Sequence, residues 1–111
     1  MEGVFENVKE WLKKNDVRTW RIKYVRFADG KVLFCNSCDF STNHFNIVES
    51  RPEVPAVSAG SIKGKGKGWY IDGYGSTTAK LKNLPSDEKY INMALEPLGF
   101  EVDYEILESI F

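Results

Sequence analysis

Hydrophobic and polar residues recur along this chain with two periods. Near the start, Val4, Phe5, Val8, Trp11 and Leu12 fall at i, i+1, i+4, i+7 and i+8, one face of a helix. The spacing predicts a helix over 3–14. Glu2, Glu6 and Glu10 lie towards its N-terminal end, and Lys13 and Lys14 towards its C-terminal end. That order complements the helix dipole. From residue 18 the period changes to two. Trp20, Ile22 and Tyr24 alternate with Arg21 and Lys23, so 18–28 reads as a strand. The alternation slips at Val25-Arg26-Phe27, which predicts a bulge. Asp29-Gly30 is a two-residue hairpin signal, and Lys31 to Cys35 returns as a second strand.

Residues 43–49 read as a third strand, with Phe45 and Ile47 on one face and His44, Asn46 and Val48 on the other. Pro52 and Pro55 make the next stretch a loop. Val57 to Lys82 gives two or three strands broken at glycines, with Trp69 and Ile71 opposite Tyr70 and Asp72. Gly73 to Ser76 reads as a turn, and Thr77 to Leu81 as a return. Ser86 is suited to cap a second helix, with Asp87 and Glu88 in its first turn. Tyr90, Ile91, Ala94, Leu95 and Leu98 form its apolar face, and Pro97 and Gly99 end it. Phe100 to Ile106 alternates apolar with acidic as a strand does. A short helix from Asp103 is the rival reading, because Tyr104, Leu107 and Phe111 also lie at helical spacing.

These elements predict an α+β fold: a mainly antiparallel sheet of five or six strands, packed by the N-terminal helix and a second helix near the C-terminus. With 111 residues and no long linker, one domain over 1–111 is expected. A hydrophobic fraction of 42% and an aromatic fraction of 14% suffice for a core and argue against disorder. No apolar run approaches the length of a membrane span. The N-terminus is acidic and amphipathic, unlike a signal peptide. Two cysteines three residues apart fit a reducing cytoplasm.

Net charge is only −1, but it is unevenly placed. Residues 18–82 carry 11 Lys/Arg against 5 Asp/Glu, whereas residues 83–111 carry 1 Lys against 7 Asp/Glu. An acidic chain is a poor nonspecific partner for duplex nucleic acid, whose affinity rests on phosphate neutralisation. A local basic pocket for a small anion remains compatible with it.

That pocket is sought in Gly60 to Lys82, which holds six of the nine glycines. In an extended segment Lys63, Lys65 and Lys67 share one face, and Gly64, Gly66 and Gly68 the other. Glycine admits a close approach by a backbone or a flat ligand, and lysines add point charges. Trp69, Tyr70 and Tyr74 supply aromatic faces, the ingredients of a nucleotide binder. The same stretch also reads as a solvated hairpin tip. A P-loop is excluded, because no Gly-Lys here is followed by Ser or Thr. The dinucleotide fingerprint fails too, because Trp69 and Ile71 stand where its third glycine belongs.

Cys35, Cys38 and His44 hold potential zinc ligands, with Asp39 as a fourth. The letters are similar to the start of a two-Cys two-His finger. His44 comes too early for that pattern, however, and there is no second histidine. The simpler reading is a strand end and a turn with reduced thiols, so neither metal nor cofactor is assigned. Cys38 with His44 is the one nucleophile–base pairing available, and no third group orients it. No catalytic residue is assigned, and binding is read ahead of catalysis.

Two binding roles follow. One is a small protein for an anionic, nucleotide-like ligand, with Arg21, Lys63, Lys65 and Lys67 on phosphates and Trp69, Tyr70 or Tyr74 on a base. The other is a protein-interaction module, such as a small inhibitor, immunity factor or phage accessory protein. It would act through the aromatic glycine-rich segment and the acidic C-terminal strand. A homo-oligomer fits either role.

Overall fold

The computed structural model describes residues 4–15, 19–36, 44–65, 68–72, 81–99 and 101–102. The fold is α+β. Its elements in chain order are β1 (Val4–Phe5), α1 (Val8–Asn15), β2 (Thr19–Phe27), β3 (Val32–Asn36), α2 (His44–Glu49), β4 (Ala56–Lys65), β5 (Gly68–Ile71), α3 (Asp87–Leu95) and β6 (Glu101–Val102). The sheet order is β1-β3-β2-β4-β5-β6. The first five strands pair antiparallel, and β6 lies parallel to β5.

The β2–β3 hairpin forms where alternation and Asp29-Gly30 place it. Gly30 adopts φ 90°, a left-handed conformation that glycine reaches without strain. The irregularity expected near Val25-Arg26-Phe27 falls between Arg26 and Phe27. Arg26 pairs Ser58 and Phe27 pairs Ala56, which leaves Val57 of β4 as the extra residue.

Two sequence expectations are corrected. The first turn of the helix expected over 3–14 is instead β1, and α1 begins at Val8. Asn7 fixes that start, because its Oδ1 accepts the backbone N–H of Glu10 at 3.1 Å, an N-cap bond. Val4 and Phe5 are then released to pair with Cys35 and Phe34. The expected third strand over 43–49 is the helix α2. His44, Ile47 and Val48 lie at i, i+3 and i+4, so they share a helix face as readily as they alternate in a strand.

The central pair, β2 with β4, sorts residues onto two faces. One face carries Trp20, Ile22 and Tyr24, and their cluster takes in Phe34, Ile62, Trp69, Val8 of α1, and Ile91 and Leu95 of α3. The other face carries Val25 and Phe27, which cluster with Leu33, Cys35, Ala59 and Ile47 of α2. Glycines shape the first face. Trp20, Gly64 and Trp69 form one cross-strand row. A Cβ on Gly64 would lie 2.1 Å from the Trp20 ring, so the indole occupies the space that a side chain would take. Gly60 plays the same part for Tyr24, whose ring lies 2.9 Å from the corresponding Cβ position.

A polar contact locks α3 to this face. Asp87 is fully buried. Its carboxylate accepts from the Tyr24 hydroxyl at 2.5 Å, the Ser58 hydroxyl at 2.5 Å and the Leu84 N–H at 2.8 Å. Arg26 lies 3.4 Å from the same carboxylate, donates to Ser86 Oγ at 2.8 Å and stacks on Tyr90. Ser86 therefore precedes the helix, but its hydroxyl makes no cap bond. Burial first, and then the Asp87 hydrogen bond and charge, hold the Tyr24 phenol far above its ordinary pKa, so it remains a donor.

Two outcomes are expected. Gly64→Ala drives a methyl into a ring hemmed in by core neighbours, and overpacking of this kind lowers stability by about 1–3 kcal/mol. Urea denaturation checks it, and a retained midpoint would show that the Trp20 ring yields. Asp87→Ala leaves Arg26 without its buried counter-charge and strands two hydroxyls, a loss of about 3–5 kcal/mol by the same measurement.

Candidate functional site

The strand period that sends Trp20 and Gly64 into the core sends their neighbours to the opposite face. Arg21 stands directly across from Lys63, and Thr19 from Lys65. On the next strand Tyr70 pairs Lys63, and Gly68 pairs Lys65. Arg21, Lys63 and Tyr70 thus form one cross-strand row, and Thr19, Lys65 and Gly68 the next. Lys23 lies across from Ser61 one row further on. Asp72 joins there, its N–H donating to the Ser61 carbonyl at 3.0 Å. Like charges set directly opposite one another destabilise a sheet, and Arg21 with Lys63 is such a pair.

Asp72 offsets part of that repulsion. Its carboxylate meets Arg21 Nη2 at 2.8 Å, and the Asp72 side chain is only 6% exposed. Lys63 is half-buried and Lys65 exposed, and neither makes an ion pair among the described residues. Tyr70 is 3% exposed, and its hydroxyl has no hydrogen-bond partner among the described residues. Burial first, and then the Asp72 charge, raise the Tyr70 phenol above its ordinary pKa, so the group is a neutral donor.

The residues predicted from sequence therefore divide. Arg21, Lys63, Lys65 and Tyr70 come together on one face of β2, β4 and β5. Trp69 sits on the other face with no exposed surface, so in this conformation its ring offers no face to a base. Lys67 and Tyr74 lie outside the described residues. The space beside Gly64, which the sequence offered to a ligand, is filled by Trp20 of the same chain. Gly68 does not continue the glycine face, because the chain reverses after Lys65 and brings Gly68 back into the lysine row. Sequence reasoning missed Asp72 as the partner of Arg21. It also missed Ser61 as a buried hydroxyl on this face. Alternation from Lys63 back to Ser61 and from Tyr70 on to Asp72 was the signal that places both there.

Of the suggested metal and nucleophile residues, Cys35 is fully buried in the Val25–Phe27 cluster, and Cys38 and Asp39 lie outside the described residues. His44 is 7% exposed, and its Nε2 lies 2.7 Å from the Gly60 carbonyl. That bond requires Nε2 to carry the proton and donate. Among the described residues, no three His, Cys, Asp or Glu side chains are grouped to hold a metal ion. No described helix is long and apolar enough to cross a membrane. No protein family, curated protein or solved structure matches the chain.

His44 generates a pH prediction. Burial, the largest influence, and the nearby Lys23 charge hold its imidazole below the ordinary 6.5, against the opposing effect of the Gly60 bond. The unfolded chain therefore takes up a proton near pH 6.5 that the folded chain resists. Stability is at its full value above that pH and declines as pH falls below it, by at most about 1.4 kcal/mol per pH unit. Chemical denaturation between pH 7.5 and 5.5 should show this slope in the wild type. His44→Gln, whose amide can still donate to Gly60, should lose it.

Proposed function

We propose that the chain is a small binding protein for an anionic, nucleotide-like ligand, taken on the face of β2, β4 and β5 that carries Arg21, Lys63 and Lys65. Lys67 and Tyr74 of the same glycine-rich stretch complete the contacts, with Tyr74 as the stacking ring. In this reading α1 and α3 cover the opposite face, α2 covers the Val25–Phe27 end of the basic one, and the Arg21–Lys65 end takes the ligand. One observation carries the reading: Arg21 and Lys63 stand opposite each other in register, with Lys65 two residues along on the same face. Such an arrangement opposes folding, and an anion bound across it would offset the repulsion. Lysine serves here as a point charge.

A second reading, a protein-interaction module acting through the aromatic glycine-rich segment and the acidic C-terminal strand, draws on the edge of the sheet. Glu101 takes the register position beside Gly68, in the same cross-strand row as Lys65. Basic and acidic positions thus share one row, an arrangement that suits pairing with a charge-complementary partner or a second copy.

Calorimetric titration with ADP, and with adenosine as the uncharged control, tests the first reading. ADP should bind more tightly than adenosine, and less tightly as salt is raised. A triple Lys63→Ala, Lys65→Ala, Lys67→Ala variant should weaken ADP binding at least about tenfold, since each charge-assisted hydrogen bond contributes about 1.5–3 kcal/mol. Its melting temperature should hold or rise. Equal affinity in the variant would sink the reading. Absent ADP binding together with salt-sensitive self-association in sedimentation would favour the second.

A further inference from the structure

We infer that Tyr70, Lys63 and Arg21 form a subsite for a dianionic phosphoryl group, in which the Tyr70 hydroxyl is a ligand-binding donor and Asp72 positions the Arg21 guanidinium. The inference rests on the anion-binding reading above and specifies the group that is bound.

Three features point this way. The first is the Tyr70 hydroxyl itself. It is closed to solvent, it has no hydrogen-bond partner among the described residues, and it belongs to the residue paired with Lys63. A buried hydroxyl left without a partner opposes folding, and native proteins seldom retain one without a use. The second is the number and kind of donors. Adjacent strands lie about 4.8 Å apart, so one row brings a guanidinium, an ammonium and a phenol hydroxyl within reach of one small group. A phosphoryl group presents three peripheral oxygens, one for each donor. A carboxylate presents two, and it is best met by both arms of an arginine fork. Arg21 has already committed Nη2 to Asp72.

The third feature is charge. Arg21, Lys23, Lys63 and Lys65 outnumber Asp72 on these strands. That surplus of positive charge suits a multiply charged anion. The buried Asp72 carboxylate holds the guanidinium over β4, so the donor is in place before the ligand arrives. Burial keeps the Tyr70 phenol protonated, so it approaches an anion without repulsion.

The test uses the full chain, with inorganic pyrophosphate as titrant in calorimetry. Wild type should bind it, and Tyr70→Phe should bind it about tenfold more weakly without a lower melting temperature, because the ring stays and only the unpaired hydroxyl goes. Lys31→Ala, at the distant hairpin tip, should leave the affinity unchanged. In the wild type, proton spectra should show the Tyr70 hydroxyl proton moving downfield as it gains a hydrogen bond when pyrophosphate is added, which tests the inference even if Tyr70→Phe folds poorly. Unchanged affinity in Tyr70→Phe would overturn the subsite, and so would a hydroxyl proton indifferent to pyrophosphate. ADP binding without pyrophosphate binding would also overturn it, while the broader anion-binding reading stands. Binding of neither ligand would remove both.

Discussion

The pairing of β2 with β4 is the constraint on which the rest of this structure depends. It sets Trp20 against Gly64, Tyr24 against Gly60, and Arg21 against Lys63 in a single register. A slip of one residue would turn Trp20 and Tyr24 out of the core and bring Arg21 and Lys23 into it. It would also move the two ring systems off the glycines that accommodate them. The core and the basic face are therefore two consequences of one alignment. Neither can be shifted without the other.

The glycines of this segment show how one feature serves two ends. Gly64 lets the Trp20 indole lie close against the sheet, beside Trp69 in the same row. Its neighbours Lys63 and Lys65 are held on the opposite face by the same alternation. Among the described Lys-Gly letters, Gly64 thus takes in an aromatic ring, and Lys63 and Lys65 lie on the face away from it. The Asp87 contact reinforces the arrangement from the helical side, because Tyr24 leans over Gly60 and ends on that carboxylate.

What the sequence made legible was local. The β2–β3 hairpin could be read because alternation and Asp29-Gly30 agree, and α3 because a first-turn acid pair, a 3.6 period and Gly99 agree. α2 could not, since six residues satisfy both periods equally well. β1 was hidden because Val4 and Phe5 fit the helical face that follows them, and only Asn7 marks the break. In the candidate site, alternation placed Lys63 and Lys65 on one face. It could not say that Arg21 lies opposite Lys63 or that Trp20 fills the glycine side, because cross-strand register is not a local property. Asp87 read only as one of two acids in a helix's first turn. Its buried partners, Tyr24 and Ser58, lie 63 and 29 residues away in the chain.

The same register sets the order in which the chain can fold. The β2–β3 hairpin closes over a short turn, but β2 meets β4 through partners 29 to 46 residues apart. Long-range pairing of this kind is slow, because a loop must close before the contacts it enables can form. During synthesis, Trp20 and Tyr24 therefore emerge well before Gly60 and Gly64, and their rings stay uncovered until β4 has been made. Early exposure of two large aromatics on a growing chain makes the interval before β4 arrives the one in which a nascent chain is most prone to aggregate.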